Sequence, residues 1–293
     1  MTDTNLSAIL YKTGDLRLED RPIPEPGRGG DRVAIEPGVP CRQCEWCKGG
    51  RYNLCPDVFF LATPPDSGAL ARFHVHAADF CFKLPDNVSF EEGALIEPLS
   101  VGLHACQRAG VNLGSKVLVC GAGPIGLSAM LSAKAMGAAS ICMTDIDDRR
   151  LEFARSLGAT TTVKVESTDP EEVARQVKSA LGSWADQAIE CSGAQFSVEL
   201  GIQSTKPGGA FAVVGHGPDN VTIPITTAIA REVEIRGSFR YVNTWPAAIA
   251  MIASGKINIK PMITHRFTIE ETLQAFETAK SGAGVKIMIS CHK

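Results

Sequence analysis

The pattern of hydrophobic and polar positions changes at about residue 115. Beyond that point, short apolar runs alternate with stretches in which apolar residues recur at helical spacing. The predicted strands lie at 116–120, 139–143, 160–165, 186–191, 210–214 and 233–237, and the predicted helices at 127–136, 149–157, 169–181 and 197–205. Six strands alternating with helices predict an α/β domain with a doubly wound parallel sheet.

The segments on either side of this domain have a different pattern. Residues 6–20 alternate around a turn at 13–15 and predict a hairpin, and 21–30 are too rich in proline and glycine for regular structure. Further strands are expected at 31–36, within 69–84, and at 263–268 and 285–290, with helices at 101–109, 245–254 and 270–281. We therefore expect a first domain, residues 1–100 with 239–293, into which residues 101–238 are inserted.

A glycine-rich turn joins the first predicted strand of the inserted domain to its first helix. Gly121 allows the tight turn, Gly123 lets a pyrophosphate approach the backbone, and Gly126 lets the helix pack closely on the strand. Pro124 and Ile125 open the helix, whose free N–H groups would face the phosphates. The motif is weak alone, but Asp145 follows the next strand, where an acid suits the ribose hydroxyls. The sequence predicts a dinucleotide site.

Composition excludes several other classes of protein. The 293 residues are 44% apolar and 21% charged with a net charge of −3, which argues against disorder and nucleic-acid binding. We find neither an apolar run of membrane-spanning length nor a signal peptide, so we expect a cytoplasmic protein. Ten cysteines in that compartment indicate thiols or metal ligands rather than disulfides.

Four of the cysteines are closely spaced. Cys41, Cys44, Cys47 and Cys55 form a C-x2-C-x2-C-x7-C pattern. Four thiolates close a tetrahedral shell, so this lobe, residues 40–56, is predicted to hold a structural zinc. An iron–sulfur cluster or free thiols remain the alternatives. The other six cysteines are expected to be buried and inert.

Several motifs together resemble the zinc-containing medium-chain dehydrogenases, and most closely the animal sorbitol (polyol) dehydrogenases. The motifs that carry this resemblance are Gly30-Asp31-Arg32-Val33-Ala34-Ile35-Glu36-Pro37-Gly38, Ala62-Thr63-Pro64-Pro65-Asp66, Leu84-Pro85-Asp86-Asn87-Val88, Gly93-Ala94-Leu95-Ile96-Glu97-Pro98-Leu99-Ser100-Val101-Gly102, the glycine-rich turn and Phe239-Arg240-Tyr241. The resemblance runs from about residue 5 to 291. It implies that the first domain is a GroES-like β-rich catalytic domain and the inserted one a Rossmann NAD-binding domain.

The resemblance also implies a set of site residues. Asp145 and Arg150 match residues beside the adenosine, and Asp145 favours NAD over NADP, although Arg149 and Arg150 lie nearby. Gly215, Phe239 and Arg240 match the nicotinamide side. The substrate side is matched by Phe59, Phe60, Thr63, Glu97, Arg240 and Tyr241. The family's catalytic zinc polarises the C2 oxygen of a polyol while a hydride passes to NAD.

The chain departs from the family between Pro26 and Asp31. The family's chain continues there through several strands that carry a cysteine and a His-Glu pair, the ligands of the catalytic zinc. Here the two flanks join directly, leaving Glu97 as the remnant of that zinc site. One carboxylate cannot hold a catalytic zinc. The other nearby donors, His74, His76, His104 and Cys106, are interpreted as a strand face and a helix core.

The truncated first domain is predicted to have open strand edges and uncovered apolar faces, and to be poorly soluble or partly unfolded. The predicted function is NAD-dependent oxidation of a polyol at C2, with an incomplete catalytic zinc site in this chain. The family implies a homo-oligomer, a tetramer or dimer. Alternatives are an NAD-binding pseudoenzyme that associates with full-length subunits, a dehydrogenase for threonine or a butanediol, and a splice variant or gene-model error without a function of its own.

Overall fold

The computed structural model describes residues 4–25 and 31–291. The chain forms two compact units, one comprising 1–95 with 258–293 and the other 96–257. The second unit is continuous in sequence and interrupts the first. The junction at 26–30, where the family resemblance breaks, lies outside the described residues.

The first unit begins with short strands. Its elements up to residue 95 are β1 (Asn5–Lys12), β2 (Asp15–Arg21), β3 (Val33–Ile35), β4 (Gly38–Val39), α1 (Glu45–Lys48), β5 (Phe59–Phe60), β6 (Cys81–Lys83) and α2 (Phe90–Ala94). The strands form three antiparallel pairs, β1 with β2, β3 with β6 and β4 with β5. The expected hairpin of residues 6–20 is confirmed.

The strands expected within 69–84 are mostly wrong, since only β6 forms there. Residues near 71 run beside β1, with one isolated bridge between Ser7 and Ala71 and backbone bonds from Ala8 N to Leu70 O and from Arg72 N to Leu6 O. Apolar alternation alone does not make a strand when the ladder of partner hydrogen bonds is this short.

A capping box at Ser89 begins α2. The Ser89 hydroxyl accepts a hydrogen bond from the Glu92 N–H at 3.2 Å, and the Glu92 carboxylate accepts one from the Ser89 N–H at 2.9 Å. This reciprocal capping box satisfies two N–H groups that the first turn of a helix leaves unpaired.

The second unit contains the parallel sheet. Its elements are α3 (Ile96–Ala109), β7 (Lys116–Cys120), α4 (Pro124–Ala135), β8 (Ser140–Asp145), α5 (Asp148–Leu157), β9 (Thr161–Lys164), α6 (Pro170–Leu181), β10 (Ala185–Glu190), α7 (Gln195–Ser204), β11 (Thr205–Val213), α8 (Ile225–Ala230), β12 (Glu234–Gly237) and α9 (Trp245–Ala253). The six strands pair in parallel in the order β12-β11-β10-β7-β8-β9. This order confirms the predicted doubly wound arrangement.

The order also fixes where a ligand can bind. From β7 the chain continues to β8 and β9 on one side of the sheet, whereas β10, β11 and β12 lie on the other side of β7. The strand order therefore reverses at β7. Ligands of open α/β sheets bind at the carboxyl ends of the strands at such a switch point. The strands and the inner helix faces bury a continuous apolar core that includes Leu118, Val177 and Phe211.

The first unit is completed by β13 (Ile263–Thr268), α10 (Thr272–Lys280) and β14 (Lys286–Ser290), with β13 and β14 paired in parallel. Ion pairs join this segment to the region of α2: Arg266 Nε lies 2.6 Å from Glu91, and Lys260 Nζ lies 3.5 Å from Glu92. Among the described residues, no helix has both the length and the apolar character needed to cross a membrane.

Candidate functional site

The glycine-rich turn lies between β7 and α4, at the switch point of the sheet. Gly121 has a φ of +96°, which disfavours a side chain, and a Cβ on Gly126 would lie 1.8 Å from the carbonyl oxygen of Gly121. By contrast, a Cβ on Gly123 would have no heavy atom within 4 Å. Pro124 and Ile125 begin the helix directly after Gly123. The backbone is therefore closely packed beneath the turn and open above it, as a pyrophosphate site requires.

Asp145 ends β8 beside this turn and is 8% exposed. One carboxylate oxygen accepts a hydrogen bond from the Ala122 N–H at 2.8 Å, and the other accepts one from the Asp147 N–H at 3.0 Å. Arg150 reaches within 3.9 Å of the same carboxylate, whereas Arg149 pairs with Asp147. Asp145 thus holds the glycine-rich turn in place. The sequence predicted a role for this residue beside the ribose and did not indicate this structural role.

The turns after β10 and β11 meet closely. A Cβ on Gly215 would lie 2.3 Å from the Gly193 nitrogen, and a Cβ on Gly217 would lie 1.8 Å from the Gly193 oxygen. Gly193 itself has a φ of +74°. Of these three, the sequence indicated only Gly215, because Gly193 and Gly217 belong to no characteristic glycine motif.

Glu97, Arg240 and Tyr241 all lie in the second unit. Glu97 is in the first turn of α3. Burial lowers the pKa of the Arg240 guanidinium, and the charges of Tyr241 and Glu97 oppose this shift. The guanidinium lies 4.7 Å from the ring centroid of Phe239, a cation–π contact. Tyr241 is 2% exposed and packs edge-to-face on Trp245. The structure brings these four predicted site residues into one unit.

Phe59, Phe60 and Thr63 lie in the first unit, on β5 and the turn that follows it. Phe59 is 41% exposed and Thr63 is exposed, whereas the Phe60 ring would be 2.9 Å from a Cβ on Gly38. The Phe60 N–H donates to Asp66 at 2.8 Å, which fixes the turn. Phe59 and Thr63 are therefore available to a ligand of this unit, while Phe60 partly serves local packing.

The cysteine cluster assembles as predicted. The Sγ atoms of Cys41, Cys44, Cys47 and Cys55 all lie within 4.8 Å of one another. The Cys44–Cys47 and Cys41–Cys47 sulfur pairs are 3.4 and 3.9 Å apart. Four thiolates at about 2.3 Å from a tetrahedral zinc would be separated by about 3.8 Å. The spacing and the all-sulfur donor set therefore fit one zinc ion.

Backbone N–H groups support the thiolate form of Cys41, whereas burial raises the pKa values of the Cys47 and Cys55 thiols. The Gln43 and Cys44 N–H groups donate to the Cys41 sulfur at 3.4 and 3.3 Å, and they lower the pKa of its thiol to about 6. The Cys41 N–H donates to the Cys55 sulfur at 3.4 Å. Metal-bound thiolates commonly accept such outer hydrogen bonds, which orient them and reduce their charge.

The remaining metal-ligand candidates are not assembled into a site. His76 Nε2 is 2.8 Å from the Glu36 backbone oxygen, and the His74 ring lies 5.7 Å from that of His76. Cys106 donates to the Ala129 carbonyl within the buried face of α3, where His104 is buried too. Across residues 4–25 and 31–291, the four clustered cysteines form the only metal-competent group of three or more donors. Three ligands for a catalytic zinc are thus not found in the described part of the chain.

Known family models match segments of both units. Residues 25–86 match the alcohol dehydrogenase GroES-like domain, and residues 124–254 match the zinc-binding dehydrogenase domain. The sorbitol dehydrogenases of Gallus gallus and Homo sapiens are each 48% identical to the chain, covering 99% and 98% of it and 97% and 96% of their own lengths. The chain belongs to the zinc-containing medium-chain dehydrogenases, a family of oxidoreductases, and within it is close to the sorbitol dehydrogenases.

Solved structures support the same fold. An Escherichia coli oxidoreductase of unknown specificity superposes with a TM-score of 0.91 at 32% identity over 98% of this chain and 99% of its own. L-idonate 5-dehydrogenase from Escherichia coli superposes with a TM-score of 0.82 at 28% identity, over 90% of this chain and 76% of its own.

The alignment with the Gallus gallus protein extends over 345 positions, whereas the chain has 293 residues. The relative therefore carries residues that have no counterpart here. Because the alignment still covers 97% of that protein, the shortfall is internal rather than terminal.

Proposed function

We propose that the chain is a polyol dehydrogenase by family that binds NAD at the carboxyl edge of its parallel sheet and holds one structural zinc. The observation that carries the proposal is the turn between β7 and α4, open above Gly123 and fixed by Asp145. In this site, Gly121, Gly123, Pro124, Ile125 and Gly126 would receive the pyrophosphate. Asp145 and Arg150 would lie beside the adenosine.

The other cofactor and substrate residues follow from the same arrangement. Gly215 and Phe239 would border the nicotinamide. Arg240, which lies over the ring of Phe239, would donate hydrogen bonds to polyol hydroxyls, with Tyr241 next to it in the sequence. In the first unit, Phe59, Phe60 and Thr63 remain the residues that the family resemblance assigns to the substrate. The family's reaction oxidises the C2 hydroxyl to a ketone, as from sorbitol to fructose, with the C2 hydride transferred to the nicotinamide.

We further propose that the catalytic zinc site is incomplete, with Glu97 as its remnant. The described residues offer one metal-competent group, and its four cysteines leave no open coordination position for a substrate. A polyol C2–OH without a bound Lewis acid keeps a pKa far above neutrality, so hydride transfer from it is slow. We therefore expect the chain to bind NAD without efficient polyol turnover, the behaviour of a cofactor-binding partner for full-length subunits.

Binding and turnover assays on the purified full chain test this proposal. We expect the fluorescence of NADH to change on saturable binding, and sorbitol with NAD to give no increase in absorbance at the reduced-nicotinamide band. Sorbitol turnover at a rate comparable with an intact sorbitol dehydrogenase assayed in parallel would contradict the incomplete site. A failure to bind NADH would contradict the cofactor assignment.

A further inference from the structure

Glu190 is a buried acid for which the sequence motifs give no role. It is the last residue of β10 and pairs with Cys120 of β7 on one side and Val213 of β11 on the other. It is 0% exposed. Burying a carboxylate in such a position costs free energy unless hydrogen bonds compensate the lost hydration. The hydrogen-bond partners of Glu190 therefore indicate its structural role.

Those partners belong to two different turns. Oε1 accepts hydrogen bonds from the Ser192 N–H at 2.6 Å, the Ser192 hydroxyl at 2.6 Å and the Gly193 N–H at 2.9 Å. The backbone oxygen of Glu190 accepts from the N–H groups of Val214 and Gly215 at 2.9 and 3.1 Å. One residue therefore joins the turn after β10 to the turn after β11.

Each of these turns also borders the proposed cofactor site. The Ser192 Cβ would be 3.1 Å from a Cβ on Gly121, so the turn after β10 packs directly against the glycine-rich turn. Glu190 Oε2 would be 2.5 Å from a Cβ on Gly215, and it has no hydrogen-bond partner within the part of the chain that the structure describes. The free oxygen of this buried acid thus points to the turn that carries Gly215.

We infer that Glu190 is a positioning residue for the nicotinamide half of the dinucleotide. Its carboxylate holds the turn at 192–194 and its backbone oxygen holds the turn at 214–217, at the separation that the cofactor needs and without contact to the adenosine half. The inference rests on the proposed function, because it presupposes that NAD binds at this edge of the sheet. It adds a residue that the glycine-rich turn, Asp145 and Arg240 do not include.

Glu190→Gln tests the inference with little change in volume. A neutral amide accepts hydrogen bonds more weakly than a carboxylate, and its NH2 group must face either the Ser192 and Gly193 N–H groups or Gly215. We expect the dissociation constant of NADH to rise about tenfold. That of 5′-AMP, which carries only the adenosine side, should change by less than about twofold.

Asp186→Asn is the matched control. Asp186 is on the same strand but near its amino end, where it accepts hydrogen bonds from the Lys116 N–H at 2.8 Å and from Lys206 at 2.6 Å. This variant should lose stability without changing the affinity for NADH. Should Glu190→Gln fail to fold, Ser192→Ala removes the hydroxyl that donates to Glu190, together with its bonds to the Ala194 N–H and the Ser197 hydroxyl. It should still weaken NADH binding about threefold but not AMP binding.

The outcomes separate the two proposals. If the unchanged chain does not bind NADH, the proposed function fails and the role of Glu190 fails with it. If the unchanged chain binds NADH, two results overturn the inference alone: a variant at Glu190 or Ser192 that binds NADH normally, or one that loses NADH and AMP affinity to the same extent. A selective loss of NADH affinity supports it.

Discussion

The two units of the chain obtain their order from different sources. The 96–257 unit has one six-stranded sheet with a continuous apolar core, in which large side chains such as Leu118, Met143 and Phe211 are fully buried. In the described parts of the other unit, the sheets have two strands each. Two-stranded sheets are only marginally stable in water, so that unit depends on local devices.

These devices are the cysteine cluster, the Ser89 capping box and the ion pairs of the C-terminal segment. The same unit exposes apolar side chains, among them Leu10, Tyr11, Phe73 and Val75. We therefore expect the 96–257 unit to stay ordered without a metal, whereas the other unit should depend on one.

Loss of the zinc ligands is expected to give the largest effect. Cys47→Ser should remove the zinc and unfold the lobe, because metal binding supplies folding energy to such small lobes, on the order of 10 kcal/mol. Limited proteolysis should then cut the first unit rapidly while 96–257 stays resistant. Cys81→Ser is the control, since that thiol donates to the Ala77 carbonyl outside the cluster. Equal resistance of both units in Cys47→Ser would contradict the difference between them.

Two glycine substitutions separate folding from binding in the second unit. Gly126→Ala places a Cβ 1.8 Å from the Gly121 oxygen, so it should cost about 3 kcal/mol or more and abolish NADH binding. Gly123→Ala meets no protein atom within 4 Å and should fold normally, yet block the pyrophosphate. Denaturant unfolding and NADH fluorescence measure the two effects. Normal NADH affinity in Gly123→Ala would place the cofactor elsewhere.

The buried Glu36 should make only the first unit sensitive to neutral pH. Burial raises its pKa to about 7, although the Tyr52 hydroxyl opposes this by donating to Oε1 at 2.8 Å. The folded state therefore favours the protonated acid. Its contribution to stability is present below pH 4.5 and is lost as the pH rises through about 7, at most about 3 kcal/mol.

Glu36→Gln removes this titration. The stability of the unchanged chain relative to Glu36→Gln should fall between pH 5 and 8, as followed by chemical denaturation with a probe in the first unit, such as Trp46. Parallel pH profiles for the two proteins would contradict the burial argument.

The exposed ion pair between Arg266 and Glu91 should have the smallest effect. Both side chains are more than one-third exposed, so solvent screens the attraction and Arg266→Ala should cost less than about 1 kcal/mol. A double-mutant cycle with Glu91→Ala measures the pair itself. A coupling energy well above that value would mean that the C-terminal segment holds the first unit together more strongly than the comparison assumes.

Sequence patterns predicted the second unit far better than the first. Each predicted strand and helix from 116 to 237 exists, because strand–helix alternation, the glycine-rich turn and Asp145 are local signals that agree with one another. In the first unit, apolar residues near 71–76 suggested strands that do not form, since strand pairing depends on partners distant in sequence.

The site divides in the same way. The four cysteines were identifiable because their spacing alone defines a metal site, and Gly121, Gly123 and Gly126 because their spacing defines a turn. Glu190 was not identifiable. The role of Glu190 depends on the turns that contain Ser192 and Gly215, and these turns come together only after the sheet has formed. Ile146, 74% exposed directly after Asp145, is a further surface residue at this edge that the sequence did not single out.

The zinc content of the purified full chain tests the central claim most directly. Native mass spectrometry should find one zinc per chain, lost in Cys47→Ser and retained in Cys81→Ser, with NADH binding preserved in the unchanged protein. Two zinc ions per chain, with one remaining in Cys47→Ser, would show a second, complete metal site and contradict the account of a cofactor-binding unit without its catalytic zinc.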